Sequence, residues 1–316
     1  MAFKSSRGRD LGKGNIYYKS SNLGLGYGSS GPSPLPFIAT GGSTSTVGSK
    51  TVHTFSFPNS ENFVVAQGEK EVEVLVIGGG GGGGGTGYAS WYGGGGGAAG
   101  YVYATGVEMV PGTYPVTVGD KGLAQSTNNG GDGGDSVFAG SVAGFELTSK
   151  GGGGGGIGDY PGTHPDAAGR SGGSGGGSGS HYSPPTTPGG PATQPAQNSG
   201  FTAGTLVANI GYAGGAEPGG NSGDGVGGGG GGAGGVGLPG TAPSNPERSA
   251  GGPGLPNSIT GSDVTYCQGG RSNPLGGDAP EPLSTAGSGG NGVDRGAGVQ
   301  PNSPGIEGIV IVSYEN

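Results

Sequence analysis

Few residues in this chain have types and spacing that could do chemistry. Gly130-Gly131-Asp132-Gly133-Gly134-Asp135-Ser136-Val137-Phe138 matches the calcium-binding nonapeptide G-G-x-G-x-D-x-U-x letter for letter. That motif works in tandem, because neighbouring turns share the ion through carboxylate and carbonyl oxygens. A single copy reads as a tight turn entering a strand. His53, His164 and His181 lie far apart, without the spacing that gathers imidazoles on a metal. Cys267 has no recognisable activating neighbour, and neither a serine elbow nor H-E-x-x-H occurs. Glycine runs contain G-x-G-x-x-G trivially, and here no helix-forming sequence follows and no P-loop lysine accompanies it. No catalytic residue, no metal and no cofactor is expected, and the chain does not read as an enzyme.

What remains is contact chemistry. Residues 86–92 hold Tyr88, Trp91 (the one tryptophan) and Tyr92; residues 157–170 hold Tyr160, His164 and Arg170. Residues 180–199 carry His181 and Tyr182, and 262–273 carry Tyr266, Cys267 and Arg271. Aromatics among Ser, Gly and Asn are the composition of binding loops, since rigid rings supply contact area at low entropy cost. The alternative is that the rings cap whatever lies beneath. For the set, binding is favoured, because function concentrates in loops on a rigid scaffold. Tyr88, Trp91, Tyr92, Tyr160, His164 and Arg170 are therefore the candidate receptor-contact residues.

The elements that must position them are made of glycine. Val74-Leu75-Val76-Ile77 passes directly into eight glycines, 78–85, and a second run at 93–97 precedes Tyr101-Val102-Tyr103. Phe145-Glu146-Leu147-Thr148 leads into 151–156, and further runs fall at 172–179, 214–220 and 227–237. Ordering a residue costs about 1–2 kcal/mol, and glycine has no side chain to bury. Its asset is a backbone that neighbours can approach from any side. An extended helix with three residues per turn bonds nothing internally and points its N–H and C=O groups outward. Packed together, such rods satisfy one another's donors and acceptors. Each hydrogen bond nets about 0.5–1.5 kcal/mol, which roughly offsets the entropy, so a β platform has to tether the rods. If 78–85 runs outward and 93–97 returns, 86–92 lies at a far tip. The same parity takes 151–156 out and 172–179 back, with 157–170 at the tip and 180–199 at the near end.

The platform is read from period-two runs. Residues 51–57 alternate, 71–77 become apolar on both faces, and Thr113-Tyr114-Pro115-Val116-Thr117-Val118 carries a proline that favours an edge or a bulge. Short strands follow within 136–149. Ile309-Val310-Ile311-Val312 matches Val74–Ile77 in apolarity, and the two are expected to pair. The fold class is mainly β and irregular: a small antiparallel platform (51–57, 71–77, 101–118, 136–149, 309–314) carrying packed polyglycine II helices within 78–97 and 151–300, with almost no α-helix.

Composition agrees. The chain has 88 glycines and 24 prolines in 316 residues without a strict three-residue period, and only 29% hydrophobic residues. No large oily core is available. Nothing resembles a signal peptide or a membrane span, and the lone cysteine suits a reducing compartment. The net charge is −8, yet residues 1–50 hold Lys4, Arg7, Arg9, Lys13, Lys19 and Lys50 against Asp10 alone. A basic arm on an acidic body suggests docking to an acidic partner, with Lys4, Arg7, Arg9, Lys13, Tyr17 and Tyr18 as the candidate docking residues. Nucleic-acid binding and membrane insertion are not expected.

The order of segments resembles the glycine-rich domains of bacteriophage tail-fibre tip adhesins. It is carried by Val74–Ile77 with its glycine run, Ala98-Ala99-Gly100-Tyr101 after the second run, Pro111 to Gly119, Gly130 to Ser136, Tyr212-Ala213-Gly214-Gly215 and residues 308–314. That resemblance covers roughly 70–316 and implies a sandwich of polyglycine II helices on a β base. It also implies loops that contact a bacterial outer-surface protein or lipopolysaccharide. The expectation is a virion protein made in the host cytoplasm, at a fibre tip as a monomer or homotrimer. Residues 1–50 would attach it to other fibre or tail proteins. Two alternatives are a structural virion protein that binds no host, and a glycine-rich cell-surface or matrix protein.

Overall fold

Alternating runs form strands, and glycine runs form a second kind of order beside them. The computed structural model describes residues 35–58, 61–87, 91–140, 145–158, 165–181, 186–197, 204–217, 226–240, 249–272, 284–293 and 302–316. Its strands are β1 (Ile38–Thr40), β2 (Ser43–Val47), β3 (Lys50–Ser56), β4 (Phe63–Gln67), β5 (Lys70–Ile77), β6 (Tyr101–Met109) and β7 (Gly112–Tyr114). They continue as β8 (Val116–Thr117), β9 (Ser136–Ala139), β10 (Glu146–Ser149), β11 (Thr205–Ile210), β12 (Leu255–Asn257), β13 (Val264–Tyr266) and β14 (Ile309–Glu315). One turn of 3-10 helix, Pro165–Ala167, is the only helical element among the described residues. None of their helices is long and apolar enough to cross a membrane.

The main sheet has the order β11-β6-β5-β14-β3-β2 and is antiparallel throughout. β14 lies between β5 and β3, with Val310 opposite Val76 and Phe55, and Val312 opposite Val74 and His53. The two most apolar runs of the chain thus pair, as expected, because strands buried on both faces have to be central. On one face Val74, Val76, Val102, Val310 and Phe55 pack with Phe63, Tyr114, Phe138 and Leu147 from the small sheets β1-β4-β7 and β10-β9-β8. On the other, Leu75, Ile77, Val52, Tyr101 and Ile311 pack with Ala98, Ala99, Tyr266 and Cys267. Pro115 is the corner between β7 and β8, where the chain leaves one small sheet for the other.

The platform also takes in residues that the sequence had assigned to the docking arm. β1 and β2 lie within 38–47, and Lys50 opens β3 and pairs with Glu73 at 2.7 Å. Ser43-Thr44-Ser45-Thr46-Val47 shows no apolar alternation because it is an exposed edge, which needs no inward face. Residues 1–34, with Lys4, Arg7, Arg9, Lys13, Tyr17 and Tyr18, lie outside the described residues. β4 and β11 to β13 also join the β structure outside the anticipated segments.

Beyond Ile77 the hydrogen bonding changes pattern. The amides of Gly79, Gly82 and Gly85 donate to the carbonyls of Gly134, Gly131 and Asn128 at 2.8, 2.8 and 2.9 Å. Those of Gly80 and Gly83 donate to Ile306 and Ser303, and those of Gly81 and Gly84 to Gly97 and Gly94. Every third residue faces the same neighbour, which is the screw of a three-residue extended helix. The descending partner numbers make these three neighbours antiparallel. The carbonyls turn to three parallel rods: Gly79, Gly82 and Gly85 accept from Gly152, Gly155 and Gly158, Gly80 from Gly122, and Gly81 and Gly84 from Gly290 and Val293. Rod 78–85 therefore has six neighbours, and from Gly79 to Gly85 every amide bonds to a backbone carbonyl.

Glycine is required there by space. A Cβ on Gly79, Gly81 or Gly83 would fall well inside 3.0 Å of the carbonyls of Asp120, Gly153 or Asn291. Outer rods are less demanding. In 119–126 only Gly119 and Gly122 are buried, while Asp120, Leu123 and Ser126 are exposed. In 302–308 the buried positions are Gly305 and Gly308. One glycine in three is enough when one face in three meets the lattice.

Candidate functional site

Rod direction decides which segments meet at the end remote from the strands. Gly153 and Gly156 donate to Ser174 and Gly177, so 172–179 runs parallel to 151–157 and points outward. The expected return rod is instead 166–171, against which Gly176 and Gly179 donate to Arg170 and Ala167 in descending order. This overturns the parity inferred from sequence. The expected tip segment 157–170 therefore already contains most of the return rod: Asp166-Ala167-Ala168-Gly169-Arg170-Ser171 holds one glycine, and an outer rod needs no more.

With the direction corrected, Ser180 belongs to the far end and not to the near one. Its amide donates to the Tyr92 carbonyl at 2.9 Å, and its hydroxyl accepts from the Tyr92 amide at 2.7 Å. Thr86 forms a parallel bridge with Gly158 beside them. Farther across, Glu217 donates to Thr187, Gly240 to Ala216 and Val293 to Gly84, which brings those rod ends to the same level. Outward rods thus end near 86, 126, 158, 180, 217, 240, 272 and 293, and inward rods begin near 91, 128, 166, 186, 226, 249 and 302. The connection at Thr127 is described and exposed, whereas residues 88–90, 159–164, 182–185, 218–225, 241–248 and 294–301 lie outside the described residues.

Of the candidate contact residues, Tyr88, Tyr160 and His164 lie outside the described residues. Trp91 and Tyr92 are at the far end but only 4% and 2% exposed. Both are buried there, as are Ile157, His181, Val226 and Val293. They do not offer contact surface. A lattice end exposes amides and carbonyls that have lost their partners, and apolar cover there shields the terminal bonds from water. Arg170 is also displaced, lying on the flank of the bundle, where its amide donates to Gly154 at 2.9 Å. Tyr266 and Cys267 are buried in the platform core and belong to no binding loop. Burial pushes the Cys267 thiol far above its ordinary range.

The nonapeptide is not the tight turn expected from sequence: 128–134 is an extended inward rod that leads into β9. Asn129, Asp132 and Asp135 are spaced by three, and their side-chain oxygens accept from the amides of Ile157, Gly154 and Gly151 at 2.8, 3.0 and 2.8 Å. These oxygens stand where a further rod would place its carbonyls. Asp132 also receives Arg170 Nε at 2.7 Å and a terminal guanidinium nitrogen at 2.5 Å. Burial pushes the Asp132 carboxyl up, but the hydrogen bonds from Arg170 and Gly154 outweigh it and hold it below the usual carboxylate range. Asn291 and Ser288 serve in the same way, accepting from Arg271 and Gln268 amides. No group of three or more potential metal ligands occurs among the described residues. The signal for this role was the three-residue spacing of short oxygen-bearing side chains, which the calcium motif obscured.

A family model described as a glycine-rich domain matches residues 54–315. The chain belongs to that family. No curated protein matches it.

Proposed function

We propose that this glycine-rich domain is the receptor-binding part of a bacteriophage tail fibre or similar exterior virion appendage. It engages a bacterial surface protein or lipopolysaccharide through the connections at the far end of the rods. One observation carries the proposal: outward rods ending near 86, 126, 158, 180, 217, 240, 272 and 293, and inward rods beginning near 91, 128, 166, 186, 226, 249 and 302, have those ends at one pole. A lattice of backbone bonds admits almost no side chain inside. Chemical variety is therefore confined to the flanks and to these connections, an arrangement suited to recognition. The resemblance of the segment order to tail-fibre tip adhesins supports the same role. Tyr88, Tyr160 and His164 are the contact residues in this proposal, and residues 1–34 attach the domain to other fibre or tail proteins.

The test is adsorption of fluorescently labelled full-length protein to a panel of bacterial strains. A triple variant, Tyr88→Ala, Tyr160→Ala and His164→Ala, is compared at equal thermal stability. Labelling of at least one strain, lost in the variant, is the expected result. Absence of labelling throughout the panel, or equal labelling by the variant, counts against receptor binding and favours a purely structural virion protein.

A further inference from the structure

At the opposite end of the molecule from the rod tips, a groove of about 330 Å³ lies between strand β11 and the β12–β13 hairpin. Its lining includes Tyr101 and Tyr103 of β6, Val207 and Ala208 of β11, and Leu255 and Asn257 of β12. The two tyrosines share a face of β6 because they are two residues apart. The register between β11 and β6 shifts between Leu206 and Ala208, which leaves Val207 as the unpaired residue at the rim, 56% exposed. Such a bulge bends an edge strand away from its neighbour.

The polar groups in the groove are partly spent and partly open. Asn257 Nδ2 donates to the Tyr101 hydroxyl at 2.8 Å, and Asn257 Oδ1 accepts from the Ile259 amide. Tyr101 is 3% exposed, and its own hydroxyl proton has no acceptor among the described residues. Tyr103 donates to Glu73 Oε2 at 2.9 Å, so its hydroxyl keeps acceptor capacity. No charged side chain lines the groove.

These facts restrict the occupant. An ionic ligand would lose water without gaining a counter-charge. A wholly apolar ligand would leave the Tyr101 proton and the Tyr103 lone pair unmet, at the cost of unsatisfied buried polar groups. A ligand with an apolar face and neutral hydroxyls satisfies both constraints, with its C–H face on the partly exposed Tyr103 ring and its hydroxyls toward the hydroxyls of Tyr101 and Tyr103. We propose that this groove is a binding site for a neutral pyranose unit of a glycan, distinct from the far-end connections.

Saturation-transfer NMR of the full-length protein tests this with methyl glucoside, methyl galactoside and N-acetylglucosamine oligomers, against sialic acid and a proline-rich peptide. At least one neutral sugar is expected to bind, with Kd raised about tenfold or more by Tyr103→Ala, in line with the loss of one aromatic contact and its hydrogen bond. Val207→Arg, at an exposed position, is expected to block the groove while leaving the fold intact. The far-end triple variant is expected to leave this binding unchanged, which separates its failure from failure of the receptor-binding proposal. Absence of any neutral-sugar signal overturns the site. So does a signal that survives Tyr103→Ala and Val207→Arg, or tighter binding of sialic acid or the peptide.

Discussion

The Ser149 hydroxyl accepts from the Gly78 amide at 2.8 Å and donates to the Gly100 carbonyl at 2.6 Å. Ser149 is the last residue of β10, Gly78 the first after β5, and Gly100 the last before β6. A single buried side chain thus hands three strands from sheet bonding to rod bonding. Ser136 does the same for the Gly119 amide at 2.9 Å. Replacing Ser149 with Ala leaves a buried amide and a buried carbonyl without that partner, and should cost about 1–3 kcal/mol. Chemical denaturation of the variant measures it, and an unchanged midpoint would show the hydroxyl to be dispensable.

Gly81→Val should destabilise by about 1–3 kcal/mol or more, because its Cβ would meet the Gly153 carbonyl and neither rod has room to give. Leu123→Ala, on an outer rod and 59% exposed, should change stability by no more than about 0.5 kcal/mol. Equal thermal midpoints for the two variants would contradict close-packed rods.

The lone tryptophan reports on the far end. Trp91 is 4% exposed, so its fluorescence should be blue-shifted and poorly quenched by iodide in the native state. Trp91→Ala should cost about 3–5 kcal/mol. Free quenching, or an unaltered thermal midpoint in the variant, would return Trp91 to the set of contact residues.

Asp132 gives the lattice a pH dependence. Its folded-state carboxyl is held below the usual range, so its contribution is fully present above the unfolded-state pKa and is lost as pH falls through the lowered folded value. Glu307, hydrogen-bonded by Lys121, is shifted in the same direction and adds to it. Denaturation midpoints between neutral and strongly acidic pH should fall less steeply in Asp132→Asn than in the parent protein. Parallel curves would remove Asp132 from the account of acid sensitivity.

The central strands and the pure glycine rods were legible in the sequence because each has a strong local signature. Val74–Ile77 and Ile309–Val312 are apolar on both faces, and 78–85 has no side chain at all. The outer rods were not, since Asp166–Ser171 and Asn302–Glu307 need a small residue only where one face in three meets a neighbour. That single misreading reversed the inferred position of Ser180 and carried Arg170 to the wrong place. Trp91 and Tyr92 were located at the correct end, but composition alone does not distinguish a ring that caps a lattice from one that faces a partner. The edge strand β2 escaped notice because an exposed edge imposes no apolar period.

Amide hydrogen exchange of the glycines in 79–85, resolved by NMR on isotopically labelled protein, bears most directly on backbone bonding as the source of order. Protection of Gly79 to Gly85 comparable with that of Val74 and Val76 in β5 is the expected result, since each of these amides donates to a neighbouring rod at 2.8–3.0 Å. Exchange at the rate of unstructured glycine, while β5 remains protected, would contradict it.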